Sequence, residues 1–267
     1  MVNIFFSENQ IVNIKSIVSK RQLEFKDFFN KIAEQYNKER VSGDGRIFNE
    51  LIEMPATKDL VGKINSDDFI LDIGTGIGAY AEFFGKENPL VFLKAIDVSE
   101  KMLEIAVNKC RRYPNISFEE IPFEKFESDI KFDVIVGGFM LGYFDDLPSF
   151  FNKVENLLND KGVAVFSMLH PVRLSSINRT LFSYEVSNYF EEKTYNTDLS
   201  LNQGELILNK WNINDIFEGI KHTELVITDV REPIPINTKS KKYSKQALNF
   251  FRSNPSVIVF KFEKRCN

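Results

Sequence analysis

The chain has 267 residues, of which 43% are hydrophobic and 27% are charged, as in ordinary globular proteins. Its net charge of −4 argues against a dedicated nucleic-acid binder, and two cysteines with two histidines are too few for a disulfide framework or a structural zinc site. The longest apolar run, 134–144, is too short to span a bilayer, and the first residues lack a secretory pattern, so we expect a cytoplasmic protein without a membrane partner.

The first sixty residues are predicted to be mostly helical. Residues 1–20 show no periodicity and are expected to form a partly ordered arm. Apolar residues at helical spacing predict a helix over 21–39, which the glycines of "VSGDG" terminate. A second helical stretch covers 47–61 and should start anew at Pro55, because proline fits only the first turn of a helix. We expect 1–60 to form an arm and a helical lid.

Strands and helices then alternate. Near-continuous apolar runs predict strands at "FILDIG", "LVFLKAID", "ISFEEI", "KFDVIVGGF" and "GVAVFSML". Helical patterns lie between them at "AYAEFFG", "SEKMLEIAVNKCRR" and "LPSFFNKVENLLND". Repeated βα units with apolar strands imply a parallel sheet that is covered on both faces. We therefore assign 61–171 to an α/β core.

An aromatic-rich insertion follows the fifth strand. Within it, "NYFEEKTYN" and "LSLNQGELIL" alternate as the two strands of a hairpin, and "INDIFEGIKH" predicts a short return helix. The patterns of "LVITDVRE" and "SVIVFKFEK" then return to strands. We expect 172–223 to form a cap over the substrate and 224–265 to complete the core.

Three glycines at every second position mark the turn after the first strand, in "ILDIGTGIGAY". Glycine tolerates positive φ and lets another molecule approach the backbone closely, and the following helix offers free N–H groups. The loop therefore predicts a ligand site, most simply for a nucleoside. Gly74, Gly76 and Ala79 also satisfy the dinucleotide pattern, with Asp97 near the position of a ribose-binding acid, so the loop alone does not separate two kinds of cofactor.

The rest of the sequence separates them. The run "LDIGTGIG", followed by "AIDVSEKML", "FDVIVGGFMLGYF" and "GVAVFSMLHP", resembles the class I S-adenosylmethionine-dependent methyltransferases over about residues 45–264. The segment "RIFNELIEMPA", His170-Pro171 and Glu232-Pro233 are similar to the small-molecule enzymes of that family. The resemblance implies a Rossmann-like, doubly wound, seven-stranded and mostly parallel sheet, with N-terminal helices and a β-rich insertion between strands 5 and 6.

The resemblance also implies roles in holding S-adenosylmethionine. Asp72 should orient the loop and approach the cofactor's ammonium, while Gly74 and Gly76 let its methionine part lie against the main chain. Asp97 should accept both ribose hydroxyls, since a carboxylate accepts two hydrogen bonds at once; its alternative role is a helix N-cap, for which Ser99 is better suited. The remaining predicted contacts are Val98 and Met102 at the adenine, and Gly138 and Phe139 at the ammonium.

The third motif departs from the family pattern of an acid followed by a small residue. In "EEIPFEKF", Pro122 stands where the acid is usual, and Phe123 follows it. The adenine could be bound by the Phe123 N–H, with Glu124 or Glu120 accepting from its amino group, although both carboxylates could equally be solvated.

Methyl transfer requires the nucleophile to be held close to the methyl group and water to be excluded. His170 is the candidate base, because it ends a strand at the sheet edge where α/β proteins bind ligands; the alternative is a structural histidine before proline. Tyr36 and Arg46 could contact the cofactor's carboxylate or the substrate. Tyr143 and Trp211 are candidate substrate contacts, and core packing remains the alternative for Tyr143.

We therefore expect transfer of a methyl group to an oxygen or nitrogen of a small molecule, without nucleic acid. A methyltransferase acting on RNA or protein is the alternative, but the chain has "GGFMLGYF" where base-methylating families carry a Pro-Pro-aromatic motif. The other alternative is an inactive cofactor-binding partner protein. The aromatic insertion favours a flat or apolar acceptor. Oligomeric state is open at this point.

Overall fold

The computed structural model describes residues 19–41, 47–179, 183–191, 193–197, 206–236 and 243–265. Most of the predicted arm, the predicted site residue Arg46 and part of the second predicted hairpin strand lie outside these ranges. Within them, no helix is long and apolar enough to cross a membrane.

The N-terminal helical prediction agrees with the observed elements. Helix α1 covers Lys20–Val41, a π-helical segment covers Ile47–Glu53, and α2 covers Met54–Val61 with Pro55 in its first turn. Proline is tolerated there because the first N–H groups of a helix have no partner within it.

A seven-stranded sheet forms the centre of the molecule and confirms the predicted fold class. Its first five strands are β1 (Phe69–Ile73), β2 (Phe92–Asp97), β3 (Ile116–Glu120), β4 (Phe132–Gly137) and β5 (Leu158–Leu169). These five are parallel to their neighbours in the spatial order β5-β4-β1-β2-β3. The order reverses between β1 and β4, which is where open α/β sheets bind their ligands.

Helices connect these strands across both faces of the sheet. They are α3 (Ala79–Glu87), α4 (Glu100–Cys110) and α5 (Leu147–Leu157). Alternation along β1 sends Ile70 into the core on one face and Leu71 into the core on the other. Both side chains have no exposed surface, which explains why the strand is apolar throughout.

The insertion after β5 contains more regular structure than the sequence indicated. Its elements are α6 (Pro171–Leu174), β6 (Ser176–Arg179), β7 (Tyr184–Val186), β8 (Thr194–Thr197), β9 (Leu206–Asn209) and α7 (Ile213–Ile220). Strands β8 and β9 pair as the predicted antiparallel hairpin, whereas the β6–β7 pair was not predicted.

The chain then returns to the sheet. Strand β10 covers Leu225–Arg231, helix α8 covers Lys245–Ser253, and β11 covers Val257–Lys264. Strand β11 lies between β5 and β10 and is antiparallel to both. Helix α8 was not predicted, because its sequence begins within a basic stretch that resembled a solvated loop.

A third hydrophobic cluster joins α1 to the sheet edge. Ile32 of α1 packs with Ile77 of the glycine loop, Met102 of α4 and Leu208 of β9. Helix α1 and the β8–β9 hairpin therefore cover the same end of the sheet, above the loops that follow β1 and β2.

Candidate active site

The glycine loop occupies the turn between β1 and α3. Gly74, Gly76 and Gly78 all have positive φ, at 66°, 52° and 75°. A Cβ at Gly74 would lie 2.2 Å from the sulfur of Met140, whereas a Cβ at Gly76 would have no atom within 4 Å. The backbone at Gly76 therefore faces open space that a ligand can approach, as the sequence predicted for a binding loop.

Asp97, at the end of β2, is held by the backbone on both sides. Its Oδ2 accepts from the Gly76 N–H and its Oδ1 from the Ser99 N–H, each at 2.8 Å. Ser99 caps α4, because its Oγ accepts from the Met102 N–H. Each carboxylate oxygen of Asp97 keeps a second lone pair for a ligand hydroxyl. Burial raises the pKa of Asp97 to about 6, with the backbone hydrogen bonds acting in the opposite direction.

Asp72 lies directly before the loop and has no exposed surface. Its Oδ2 accepts a hydrogen bond of 2.6 Å from the Thr75 hydroxyl, and its Oδ1 has no partner in the part of the chain that is described. Burial, together with the nearby charges of Asp97 and Glu53, raises the Asp72 pKa to about 7, against the Thr75 hydrogen bond. The carboxyl group is thus roughly half ionised near pH 7.

A cavity opens above these groups, at the carboxyl ends of β1, β2 and β4. Its empty volume, counted out to its opening to solvent, is about 1150 Å³. The predicted site residues that line it are Tyr36, Gly74, Gly76, Asp97, Val98, Met102, Phe123, Glu124, Gly138, Phe139 and Tyr143. The structure therefore brings together residues from five separate sequence motifs.

Phe139 lies in a strained turn after β4. Its φ of 58° is unusual for a residue with a side chain, and its N–H donates to the Ser167 hydroxyl at 2.8 Å. Such outliers occur at functional sites, where the surrounding structure holds them in place. The turn places both Gly138 and Phe139 in the cavity wall.

Glu53 also lines the cavity, and sequence reasoning missed it. This side chain at the end of the π-helical segment is 1% exposed. Hydroxyl groups donate to its Oε1 from Tyr80 at 2.5 Å, Ser167 at 2.7 Å and Thr57 at 3.2 Å. Burial raises its pKa above the ordinary value, against these hydrogen bonds. The available signal was an acid within the otherwise apolar "LIEMPA".

His170 does not line the cavity. The prediction that it is the catalytic base therefore disagrees with the structure. It is 3% exposed and begins α6, where its Nδ1 accepts from the Val172 N–H at 3.2 Å. The proton therefore lies on Nε2, which donates to Glu232 Oε1 at 2.7 Å. Burial lowers the His170 pKa, against the charge of Glu232. Both ring nitrogens are engaged, so the structural alternative accounts for the residue.

Among the other predicted site residues, Trp211 and Glu120 do not line the cavity. Trp211 is absent from the described cavity wall, because it packs against the main core and its Nε1 donates to the Leu141 carbonyl at 2.9 Å. Of the two acids considered for the adenine, Glu124 lines the cavity, whereas Glu120 pairs with Lys26 of α1. Arg46 lies outside the described residues, and Arg40 is the arginine in the cavity wall.

The cavity fits the chemistry of S-adenosylmethionine on several observations. Open space at Gly76 permits close approach, Asp97 offers acceptors for a ribose diol, and Val98 and Met102 provide apolar contacts for a flat base. The unpartnered Asp72 Oδ1 adds negative potential beneath the loop. A ligand with positive charge would relieve the repulsion among the three acids, Asp72, Asp97 and Glu53.

Comparison with known proteins identifies the same type of domain. A family model described as "Methyltransferase domain" matches residues 71–164. The chain is 29% identical over 142 residues to a malonyl-[acyl-carrier protein] O-methyltransferase from Acetivibrio thermocellus, covering 53% of this chain and 47% of that protein. It is 26% identical over 162 residues to a demethylmenaquinone methyltransferase from Tropheryma whipplei, covering 59% of this chain and 64% of that protein.

The fold is also found among solved structures. An S-adenosylmethionine dependent methyltransferase from Mesorhizobium loti superimposes with a TM-score of 0.67 at 20% identity, covering 79% of this chain and 96% of the other. The matches to the two curated relatives span less than two thirds of either relative's length. The domain match, the glycine loop and Asp97 nevertheless agree, and residues 71–164 of this chain form a methyltransferase domain.

Proposed function

We propose that this protein transfers a methyl group from S-adenosylmethionine to an oxygen or nitrogen atom of a small molecule. The observation that carries the proposal is the cavity itself. The positive-φ glycine loop and the Asp97 carboxylate face it from adjacent strands, next to the point where the strand order reverses.

The cavity walls support a flat or apolar acceptor. Phe25 and Phe29 of α1 line it, and both contact Tyr143, with ring centroids 5.2 and 5.9 Å apart. In this proposal α1 acts as a lid that excludes water and holds the acceptor, and the β8–β9 hairpin of the insertion packs against α1. When bound, S-adenosylmethionine supplies an already activated methyl group.

His170 lies outside the cavity, and its absence from the site affects which acceptor atoms could be methylated. Without that imidazole, an acceptor that arrives unprotonated, such as a carboxylate, needs no base from the protein. The two curated relatives are named for malonyl-[acyl-carrier protein] and for demethylmenaquinone. Both are small-molecule groups, and we extend that class, but neither compound, to this chain.

Calorimetric titration with S-adenosylhomocysteine and with NAD tests the cofactor. We expect micromolar binding of S-adenosylhomocysteine and none of NAD; binding of NAD alone would favour the dinucleotide alternative. Activity is then measured with labelled S-adenosylmethionine and panels of carboxylate, phenol and amine acceptors, with RNA and a protein mixture as comparison substrates. Methylation confined to RNA or protein would contradict the small-molecule proposal.

A further inference from the structure

The cavity contains a buried carboxylate that is satisfied on one oxygen only. Three hydroxyl groups donate to Glu53 Oε1. Oε2 makes no hydrogen bond to the residues that the structure describes, and it is not among the fully enclosed atoms that lack a partner. Since Glu53 lines the cavity, Oε2 is the oxygen that a ligand can reach. The hydroxyl cluster fixes the carboxylate in this orientation.

The same cavity contains a cation. Arg40, in the last turn of α1, is half-buried in the cavity wall, with its guanidinium 5.8 Å from the centre of the Tyr36 ring. Arg40 forms no ion pair with the other residues that the structure describes, and its charge lowers the pKa of Glu53. The cavity wall therefore contains a carboxylate, Glu53, and a guanidinium, Arg40, that do not form an ion pair with each other.

The sheet order places Glu53 away from the ribose site. Asp97 ends β2, the glycine loop follows β1, and Gly138 follows β4, with β1 in the middle. A Cβ at Gly138 would lie 3.3 Å from Glu53 Oε1, so Glu53 belongs to the β4 side. Two strand spacings, about 10 Å, separate the two sides, which is comparable to the distance from a ribose to the end of a short side chain attached to it.

We propose that Glu53 and Arg40 bind the amino-acid end of the ligand, with Glu53 Oε2 accepting from its α-ammonium and Arg40 pairing with its α-carboxylate. This proposal rests on the proposed function. An ammonium and a carboxylate on one carbon match a separated acid and base, and charge-assisted bonds are strong where water is excluded. Both residues are thus binding residues, which select the zwitterionic ligand over a simple nucleoside.

The test compares four ligands by calorimetry. S-adenosylhomocysteine has both charged groups, its deamino analogue keeps the carboxylate, its decarboxylated analogue keeps the amine, and 5′-methylthioadenosine lacks both. For Glu53→Gln we expect about 10- to 100-fold weaker binding of the two amine-containing ligands, and unchanged binding of the other two within about threefold. Glutamine retains one oxygen for the three hydroxyl donors and places an amide N–H₂ against the ammonium.

Arg40→Gln gives the complementary pattern. Binding of the two carboxylate-containing ligands should weaken by a similar factor, whereas the decarboxylated analogue and 5′-methylthioadenosine should bind as before. Matched controls remove the same charges outside the cavity: Glu50→Gln lies in the same π-helical segment, and Lys38→Gln in the same turn of α1. Neither residue is in the described cavity wall. Neither control should change any of the four affinities.

Failure of this proposal is distinguishable from failure of the proposed function. If the native protein binds none of the four ligands, the proposed function is wrong. If it binds S-adenosylhomocysteine but Glu53→Gln binds it equally well, or weakens all four ligands alike, Glu53 has no role at the ammonium. Should a variant not fold, the native protein alone decides: equal affinity for S-adenosylhomocysteine and its deamino analogue would overturn the proposal.

Discussion

Asp97 holds two backbone N–H groups in the free protein and keeps acceptor capacity for a ligand. Its two oxygens hold the Gly76 and Ser99 N–H groups, so the carboxylate fixes the glycine loop against the start of α4. Each oxygen keeps a second lone pair, and Asp97 lines the cavity. The sequence suggested that Asp97 either contacts the ribose or caps α4. In the structure Ser99 is the N-cap of α4.

Asp97→Ala should weaken the binding of S-adenosylhomocysteine by roughly 2–4 kcal/mol, since two charge-assisted bonds to the ribose would be lost. Binding of 5′-methylthioadenosine should weaken equally, because it has the same ribose; this distinguishes Asp97 from Glu53. Calorimetry measures both, with Glu100→Ala on the exposed first turn of α4 as the control. An unchanged affinity would limit Asp97 to holding the loop.

His170→Ala should affect stability, and leave ligand binding intact. The substitution removes the N-cap of α6 and the hydrogen bond to Glu232, at a cost of about 1–3 kcal/mol in the free energy of unfolding. Urea denaturation measures this loss, and S-adenosylhomocysteine affinity should stay within about twofold. A rate loss of 10²-fold or more with native stability, of the size expected for a missing base, would restore the catalytic role.

The lowered pKa of His170 makes the folding stability depend on pH, and stability should fall as the pH is lowered. Because burial lowers this pKa, the folded protein binds fewer protons than the unfolded chain just below the ordinary value of about 6.5. The stability contributed by the neutral ring is therefore present above that pH and is lost as the pH falls. The alanine variant should lack this component.

At the scale of elements, α1 is fastened over the cavity by polar contacts as well as by its apolar face. Arg21 pairs with Asp145, Lys26 pairs with Glu120, and Asn30 accepts from the Ser99 hydroxyl and the Lys101 N–H. The Asn30 contact joins the middle of α1 to the N-terminus of α4. Ligand access therefore requires movement of α1 or passage around it.

Asn30→Ala should loosen that attachment. The Lys101 N–H would lose its partner, and the amides of 20–41 should exchange hydrogen faster in mass-spectrometric measurements. We expect about two- to tenfold weaker binding of S-adenosylhomocysteine, because part of the binding free energy would be used to order the helix. Gln35→Ala, which removes a hydrogen bond to Glu39 one turn along α1, is the control. Unchanged exchange in α1 would contradict the role of Asn30.

The sequence predicted the elements whose signals are local. The glycine loop, Asp97 and the apolar strands follow from residue type and spacing, and the structure has them at the same positions. Glu53 and His170 were misjudged because side-chain direction depends on packing: an acid in an apolar helix turns inward to three hydroxyls, and a strand-end histidine turns back to cap a helix. Helix α8 was missed because it begins within a basic stretch that resembled a solvated loop, while Ala247, Leu248 and Phe251 pack against residues distant in the sequence.

At the scale of the whole molecule, the free protein concentrates acidic groups at one end of the sheet. Burial raises the pKa of Asp72 to about 7 and that of Asp97 to about 6, and it raises the pKa of Glu53 as well. These side chains would ionise more easily in the unfolded chain. At neutral pH, ionisation of these buried acids therefore lowers the stability of the ligand-free fold, and a cationic ligand would offset that loss.

In the His170→Ala background, which lacks the opposing histidine component, the unfolding free energy of the ligand-free protein should therefore rise as the pH is lowered from 8 to 6. In this window the folded state binds more protons than the unfolded chain, and an Asp72 pKa of about 7 with an Asp97 pKa of about 6 gives roughly 1–2 kcal/mol. Urea titrations across this range measure it. Asp72→Asn should flatten the profile; an equally steep profile in that variant would exclude Asp72 as the source.

The position of β11 has a consequence for synthesis in the cell. It follows every other strand of the sheet along the chain, yet it lies between β5 and β10 and pairs with both. Until the ribosome has delivered Val257–Lys264, the edge of β5 stays unpaired and the apolar face around Phe166 lacks the side chains of β11 that cover it. The sheet can then be completed only late in translation, and a product truncated before β11 would expose strand edges that favour aggregation.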